Sequence, residues 1–192
     1  MRIIKQEDLL QDDGIKQEFL QAVKTGAIFI HPTDTVYGLG CNIENLDSIK
    51  KIYQLKQREE NKPISIVAPS KEWIYQNFHV SDANKGFIER LLPGPYTLVL
   101  KAKNKFPDIL VKDGAVGLRI PKHPVIDLIR QEAIIFTTTS LNIAEQDVVT
   151  KIEDAPQSIK DGVEIAIDFG QLRKHASRVF DLTTDEVKII RP

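Results

Sequence analysis

The chain has 192 residues, 42% of them hydrophobic and 28% charged, with a formal net charge of −1. This is the composition of a globular protein with a sizeable core; it excludes a general basic field but leaves room for a local basic cavity. A single cysteine, Cys41, excludes an intrachain disulfide and points to a reducing compartment.

The N-terminus, MRIIKQEDLL, has no long apolar run and no small-residue cleavage site, so no signal peptide or membrane span is expected and cytoplasm is the default. A short strand is predicted over 2–4, then a polar turn. Ile15, Phe19, Ala22 and Val23 share one helical face within 15–24, and Gly26 is a stop signal. The stretch 27–42, AIFIHPTDTVYGLGCN, predicts a buried strand over 27–30, broken at His31-Pro32. A hydroxyl-rich loop, Thr33-Asp34-Thr35, and a glycine-flexed turn, Gly38-Leu39-Gly40, follow. Those glycines allow positive φ or close approach of a backbone or ligand. Cys41 reads as a small buried residue, since no histidine adjoins it.

A second helix is predicted over 45–55, with Asn45 as N-cap and Leu46, Ile49, Ile52 and Tyr53 as its buried stripe. The loop KQREENKP carries Lys56, Arg58 and Lys62 and leads into a buried strand over 64–68. Ser70 and Ser81 are candidate caps of two further helices, the second ended by Pro93-Gly94-Pro95. YTLVLKA, 96–102, alternates as a strand; 103–114 is a polar connection; VGLRI, 116–120, is a strand that stops at Pro121. A short helix over 125–130 precedes a buried strand over 133–137, which runs into Thr138, Thr139, Ser140, Leu141 and Asn142. Loop and a short helix occupy 143–162, a strand 163–167 and a basic loop 171–177. Two strands, 178–182 and 187–190, close the chain. Helices and strands interleave, but some strands are adjacent. The fold class is therefore α/β or α+β: a mixed sheet with helices packed on it.

Polar clusters recur at strand ends, where a rigid sheet can hold an accessible loop. Lys56, Arg58 and Lys62 can neutralise a phosphate chain, although Glu59 and Glu60 intervene and a solvated surface loop is the alternative. Arg119 sits within an apolar strand, where an unpaired charge is costly. It needs either an internal acid or a ligand carboxylate. Ser140 and Asn142 could bond a nucleobase or phosphate, or merely cap the loop. The histidines, His31, His79, His123 and His175, do not fall at metal-ligand spacing. Neither common nucleotide fingerprint occurs, and no serine lies in a nucleophile elbow.

Taken in order, HPTDTVYGLG, LKQREENKPISIV, LLPGPYTLVL, VGLRIPKHP, TTSLN, SRVFDLT and the closing IIRP resemble the YrdC-type family of L-threonylcarbamoyladenylate synthases, over residues 27–192. The K-x-R and S-x-N pair appears as Lys56, Arg58, Ser140 and Asn142. The resemblance implies one YrdC-like domain over 1–192, of the short type. Its twisted mixed sheet and helices would surround a positively charged concave cavity. The implied enzyme is a nucleotidyltransferase that makes threonylcarbamoyl-AMP and pyrophosphate from L-threonine, bicarbonate or CO2, and ATP. Partner proteins then use the product to modify adenosine 37 of tRNA. ATP is a substrate and Mg2+ travels with it. Lys56 and Arg58 would be catalytic. Arg58, Lys62, Ser140, Asn142, Thr150 and Arg191 would bind ATP; Thr35, Arg119 and Ser177 would bind L-threonine. No protein metal ligands are implied. Asp34 would orient its loop or approach the magnesium.

The chain departs from the family pattern at Val67, where many members have a histidine, and at Ala115, where many have Ser or Thr. It departs also at Arg178 and at Ala144-Glu145. These bear on the threonine half of the site. Two alternatives stand beside the synthase: a non-catalytic binder of double-stranded RNA or tRNA, and a paralogous carbamoyl-adenylate enzyme with another substrate. The net charge weighs against a broad RNA surface.

Overall fold

The computed structural model describes residues 1–172 and 175–192; of the expected basic loop over 171–177, Arg173 and Lys174 lie outside the described residues. The elements run β1 (Arg2–Lys5), α1 (Gln6–Gln11), α2 (Asp13–Lys24), β2 (Phe29–His31), β3 (Gly38–Gly40), α3 (Leu46–Leu55), β4 (Ser65–Val67), α4 (Lys71–Asn77), α5 (Asp82–Leu91) and β5 (Tyr96–Lys101). They continue with β6 (Ala115–Arg119), α6 (Pro124–Gln131), β7 (Phe136–Ser140), α7 (Gln157–Gly162), β8 (Ile165–Asp168), β9 (Arg178–Asp181) and β10 (Lys188–Arg191). The described strands form one mixed sheet, ordered β1-β8-β2-β3-β7-β4-β6-β5-β9-β10.

Local chemistry sets the helix starts. Each expected cap is occupied: Asn45 accepts from Ser48 N (3.0 Å), Ser70 from Trp73 N (3.1 Å) and Ser81 from Asn84 N (3.3 Å). Asp12 caps α2 in the same way, and Pro124 opens α6, where its missing N–H costs nothing.

Strand alternation divides the core into two layers. Ile30, Ile66, Leu98, Leu100, Val116 and Leu118 pack on one face with α3, α4, α5 and α7 through Ile49, Ile74, Ile88 and Ile159. Phe29, Val67, Phe136 and Ile167 point the other way, into a smaller layer with α1, α2 and α6 through Leu9, Phe19 and Ile129. That second layer covers only part of its face. Along β4 and β7 the same row of side chains passes from core to open cavity, Val67 to Ser65 and Phe136 to Thr138.

Several sequence expectations shift. Gly38-Leu39-Gly40 is not a turn but the buried strand β3, clasped between β2 (His31↔Gly38) and β7 (Gly38↔Ser140). The glycines serve close approach. A Cβ on Gly38 would lie 2.5 Å from the His31 ring, and one on Gly40 would lie 2.2 Å from the Thr137 carbonyl oxygen. The strand expected over 133–137 starts later and runs further, Phe136–Ser140, so Thr138 to Ser140 are strand rather than loop, as β-branched threonines favour. Residues 6–11 form a helix, not a turn.

Candidate active site

The uncovered half-face is a cavity of about 590 Å³. Its floor is built by period-two alternation. Thr97, Val99 and Lys101 of β5 face it, as do Ala115, Gly117 and Arg119 of β6, while Leu98, Leu100, Val116 and Leu118 between them are core. Ser177, just before β9, and Val179 and Asp181 on it continue the pattern. Among the described residues the lining carries six cationic side chains (Arg58, Lys62, Lys101, Lys112, Arg119, Arg191) against two carboxylates (Asp113, Asp181). The cavity is therefore cationic although the chain is not.

One end is organised around Arg119. It is 7% exposed, and its Nη2 donates to Asp34 Oδ1 (2.7 Å) and to Thr35 Oγ1 (3.4 Å). The other Asp34 oxygen accepts from Lys122 N (2.9 Å), so Asp34 orients the loop and has both oxygens engaged. Arg119 Nε is buried with no partner. Of the two partners weighed from sequence, the internal acid is present, yet one donor of the fork is left unmatched. Thr33 Oγ1 donates to the Val36 carbonyl (2.7 Å) and accepts from Thr35 N (3.0 Å), which fixes the Thr35 hydroxyl at the cavity wall. Opposite stands Ser177. Its Oγ is 2.8 Å from Thr97 Oγ1 and accepts from Arg191 Nη2 (3.0 Å). Burial pushes the Arg119 and Arg191 guanidinium groups below their usual range. Arg191 adds to the push on Arg119, and Arg58 to that on Arg191. Like charges converging on one space favour an anion there.

The other end is the loop 56–63. Arg58 lines the cavity and is folded onto its own loop, Nε to the Lys62 carbonyl (2.7 Å) and Nη2 to the Pro63 carbonyl (3.2 Å). Lys62 lines it too, with Glu145 at 3.3 Å. Ser140, at the end of β7, also faces the space.

Three sequence-predicted site residues do not line the cavity. Lys56 is 1% exposed, and its ammonium donates to the Ser140 carbonyl (2.5 Å), the Asn142 carbonyl (2.7 Å) and Asn142 Oδ1 (3.0 Å). Its three protons meet three protein acceptors, so in this structure the ammonium grips the Ser140–Asn142 turn and points away from the cavity. Burial, with Arg58 adding, lowers its pKa to about 7. Asn142 is spent in the same network: Oδ1 also accepts from Ser140 Oγ (2.7 Å), and Nδ2 donates to the Gln146 carbonyl (2.6 Å). Thr150 is buried away from the lining, its carbonyl holding Leu172 N (2.9 Å). Thr35, Arg58, Lys62, Arg119, Ser140, Ser177 and Arg191 are brought together. Lys101, Lys112 and Thr97 line the cavity and are not among the sequence-predicted site residues, whereas Thr138 belongs to the polar cluster at the end of β7. The alternation of 96–102 was the available signal for Thr97 and Lys101. Val67 is core, whereas Ala115 faces the cavity. Among the described residues no group of three or more His, Cys, Asp and Glu side chains is placed to hold a metal ion, and no helix is long and apolar enough to cross a membrane.

The Sua5/YciO/YrdC family model, which carries the description "Telomere recombination", matches residues 21–192. The chain belongs to the Sua5/YciO/YrdC family. Among its relatives, a putative threonylcarbamoyl-AMP synthase of Methanocaldococcus jannaschii is 36% identical over 194 residues, spanning 99% of this chain and 92% of the relative. The threonylcarbamoyl-AMP synthase of Bos taurus is 30% identical over 180 residues, spanning 88% of this chain and 64% of the relative. The family also contains Escherichia coli YciO, named as an uncharacterized protein, at 25% identity over 179 residues, 90% of this chain and 85% of the relative. In three dimensions the chain matches P. abyssi Sua5 complexed with L-threonine at TM-score 0.87 and 26% identity, covering 100% of this chain and 56% of that one. This Sua5/YciO/YrdC chain thus spans little more than half the length of that Sua5. The fold is the twisted mixed sheet expected from the sequence.

Proposed function

We infer that this chain is a threonylcarbamoyl-AMP synthase, a nucleotidyltransferase acting on L-threonine, bicarbonate or CO2, and ATP. The observation that carries the reading is the single cationic cavity. A pocket suited to an amino-acid carboxylate (Thr35, Arg119, Ser177) and an anion-binding loop (Arg58, Lys62) open into the same 590 Å³. The names of the M. jannaschii and bovine relatives support it.

In this reading Arg119, with its free Nε, pairs the threonine carboxylate, and Thr35 and Ser177 flank it. The threonine amine adds to CO2 and loses a proton, giving a carbamate. A carbamate oxygen then attacks the α-phosphorus of ATP. The bond from that phosphorus to the β-bridging oxygen breaks, and pyrophosphate leaves with the electron pair. No protein nucleophile is needed. Arg58, Lys62 and Arg191 supply positioning and stabilise developing phosphate charge, with Ser140 on the nucleotide side. Lys56 and Asn142 act behind the wall by holding Ser140. Magnesium is read as the counterion that ATP brings, neutralising phosphate charge. We read residues 1–192 as one domain working in the cytoplasm, its product passed to proteins that modify adenosine 37 of tRNA.

The test is pyrophosphate release from ATP by the purified protein. Release should require both L-threonine and bicarbonate. A protein that binds ATP but releases no threonine-dependent pyrophosphate contradicts the substrate assignment. A second reading, the paralogue with another carbamoylated substrate, draws on Ala115 in the cavity wall and on Asp34 already engaging Arg119. Release driven by a different amine in the same assay would favour it.

A further inference from the structure

The end of the cavity farthest from Arg119 carries cations to which the reading above assigns no task. Lys101 is the last residue of β5, four positions from Thr97 on the same face, about 13 Å along the strand at ~3.3 Å per residue. Its ladder partner is Ala115, at the start of β6. β4 runs parallel on the other side of β6, with Ile66↔Leu118 and Val67↔Arg119, so the chain entering β4 from Arg58 and Lys62 approaches the same end. Lys101 and that loop therefore flank β6 from opposite sides, about 10 Å apart at two strand spacings.

Lys112 joins them from a rigid support. Lys112 and Ala115 exchange both backbone hydrogen bonds, each 2.9 Å, around Asp113 and Gly114. Asp113 (φ +52°) and Gly114 (φ +73°) are both left-handed, the geometry of a tight two-residue hairpin turn. Lys101 Nζ donates to the Asp113 carbonyl, which ties that side chain to the turn. Lys62 is shared with Glu145, whereas among the described residues no ion pair involves Lys101 or Lys112. Asp113 and Asp181 are the acids on this wall; Asp181 Oδ1 accepts from Thr183 N (2.8 Å).

In-line displacement fixes what should arrive here. The attacking and leaving oxygens lie on opposite sides of the reacting phosphorus. With the carbamate held at the Arg119 end, the leaving group points along the strands toward the Lys101 end. We propose that Lys101 and Lys112 form a pyrophosphate subsite, binding the β- and γ-phosphates of ATP and then the released pyrophosphate. The proposal rests on the reading of this cavity as a threonylcarbamoyl-AMP synthase site, and it names where the leaving group is held.

The experiment measures binding of ATP, AMP and inorganic pyrophosphate to the wild type and to K101M, K112M and the double variant. Loss of charged phosphate contacts should weaken ATP and pyrophosphate binding by about tenfold or more in the double variant. AMP, which lacks both outer phosphates, should bind about as before. K101R/K112R should restore the pyrophosphate affinity, and all variants should unfold with the wild type's midpoint. Unchanged ATP and pyrophosphate affinities, or a parallel fall for AMP, would overturn the subsite. So would a wild type that binds ATP no more tightly than AMP. A wild type that holds pyrophosphate through these lysines yet releases none from ATP with threonine would sink the substrate assignment and leave the subsite standing.

Discussion

Lys56 and Arg58 stand two residues apart in one motif and do different things. Replacing Lys56 by Met removes a donor from three acceptors; Asn142 Oδ1 keeps Ser140 Oγ and the Ser140 carbonyl keeps Asn142 N, so the Asn142 carbonyl is the one stranded. An unmet buried acceptor costs about 1–3 kcal/mol, so a lower denaturant midpoint is expected. Replacing Arg58 by Ala removes a cavity-facing cation whose protein contacts are loop carbonyls. Weaker ATP binding with little change in midpoint is expected. Equal midpoints for the two variants would contradict this division. The sequence made both residues visible as a basic cluster. It did not show which one points inward, because that depends on where β7 ends and its carbonyls turn. His31 offers a second residue-scale test. Burial lowers its pKa from 6.5 to about 3, so the folded state holds it neutral. The unfolded chain takes up that proton first as pH falls, so this contribution to stability is intact above about pH 6.5 and lost progressively toward about pH 3. Unfolding free energy should fall between about pH 6 and pH 4, and H31Q should show a shallower fall. An identical slope in H31Q would exclude His31 as its source.

Elements were legible where local chemistry decides them and obscure where neighbours do. Asn45, Ser70 and Ser81 each announced a helix start that the structure keeps. β3 was hidden because glycines are poor strand formers; only the flanking His31 ring and Thr137 carbonyl explain them. Asp113-Gly114 is a strong hairpin signal that lies within the polar connection expected over 103–114, and the structure makes it a tight turn. Two glycine substitutions separate these regimes. Gly40→Ala would press a methyl group onto the Thr137 backbone 2.2 Å away and should severely destabilise the β3–β7 pairing. Gly86→Ala, in α5 with nothing within 4 Å of the new Cβ, should stabilise by ~1 kcal/mol through helix propensity alone. Thermal unfolding of the two variants checks both signs.

The cavity belongs to the scale of the whole molecule. Alternation along 96–102 shows that β5 has two faces, but not that one of them is bare. That follows from the packing of α1, α2 and α6, which cover only part of their side of the sheet and leave Thr97, Lys101, Ala115 and Arg119 open. A chain of net charge −1 can therefore hold six cationic residues around one space. The central claim is that this space joins threonine, carbon dioxide and AMP. Mass spectrometry of the product formed from ATP, L-threonine and carbon-13 bicarbonate tests it most directly. The account predicts threonylcarbamoyl-AMP carrying the label in its carbamoyl carbon, with pyrophosphate formed in equal amount. ATP bound and recovered intact in the presence of threonine and bicarbonate, with no labelled adduct, would contradict it.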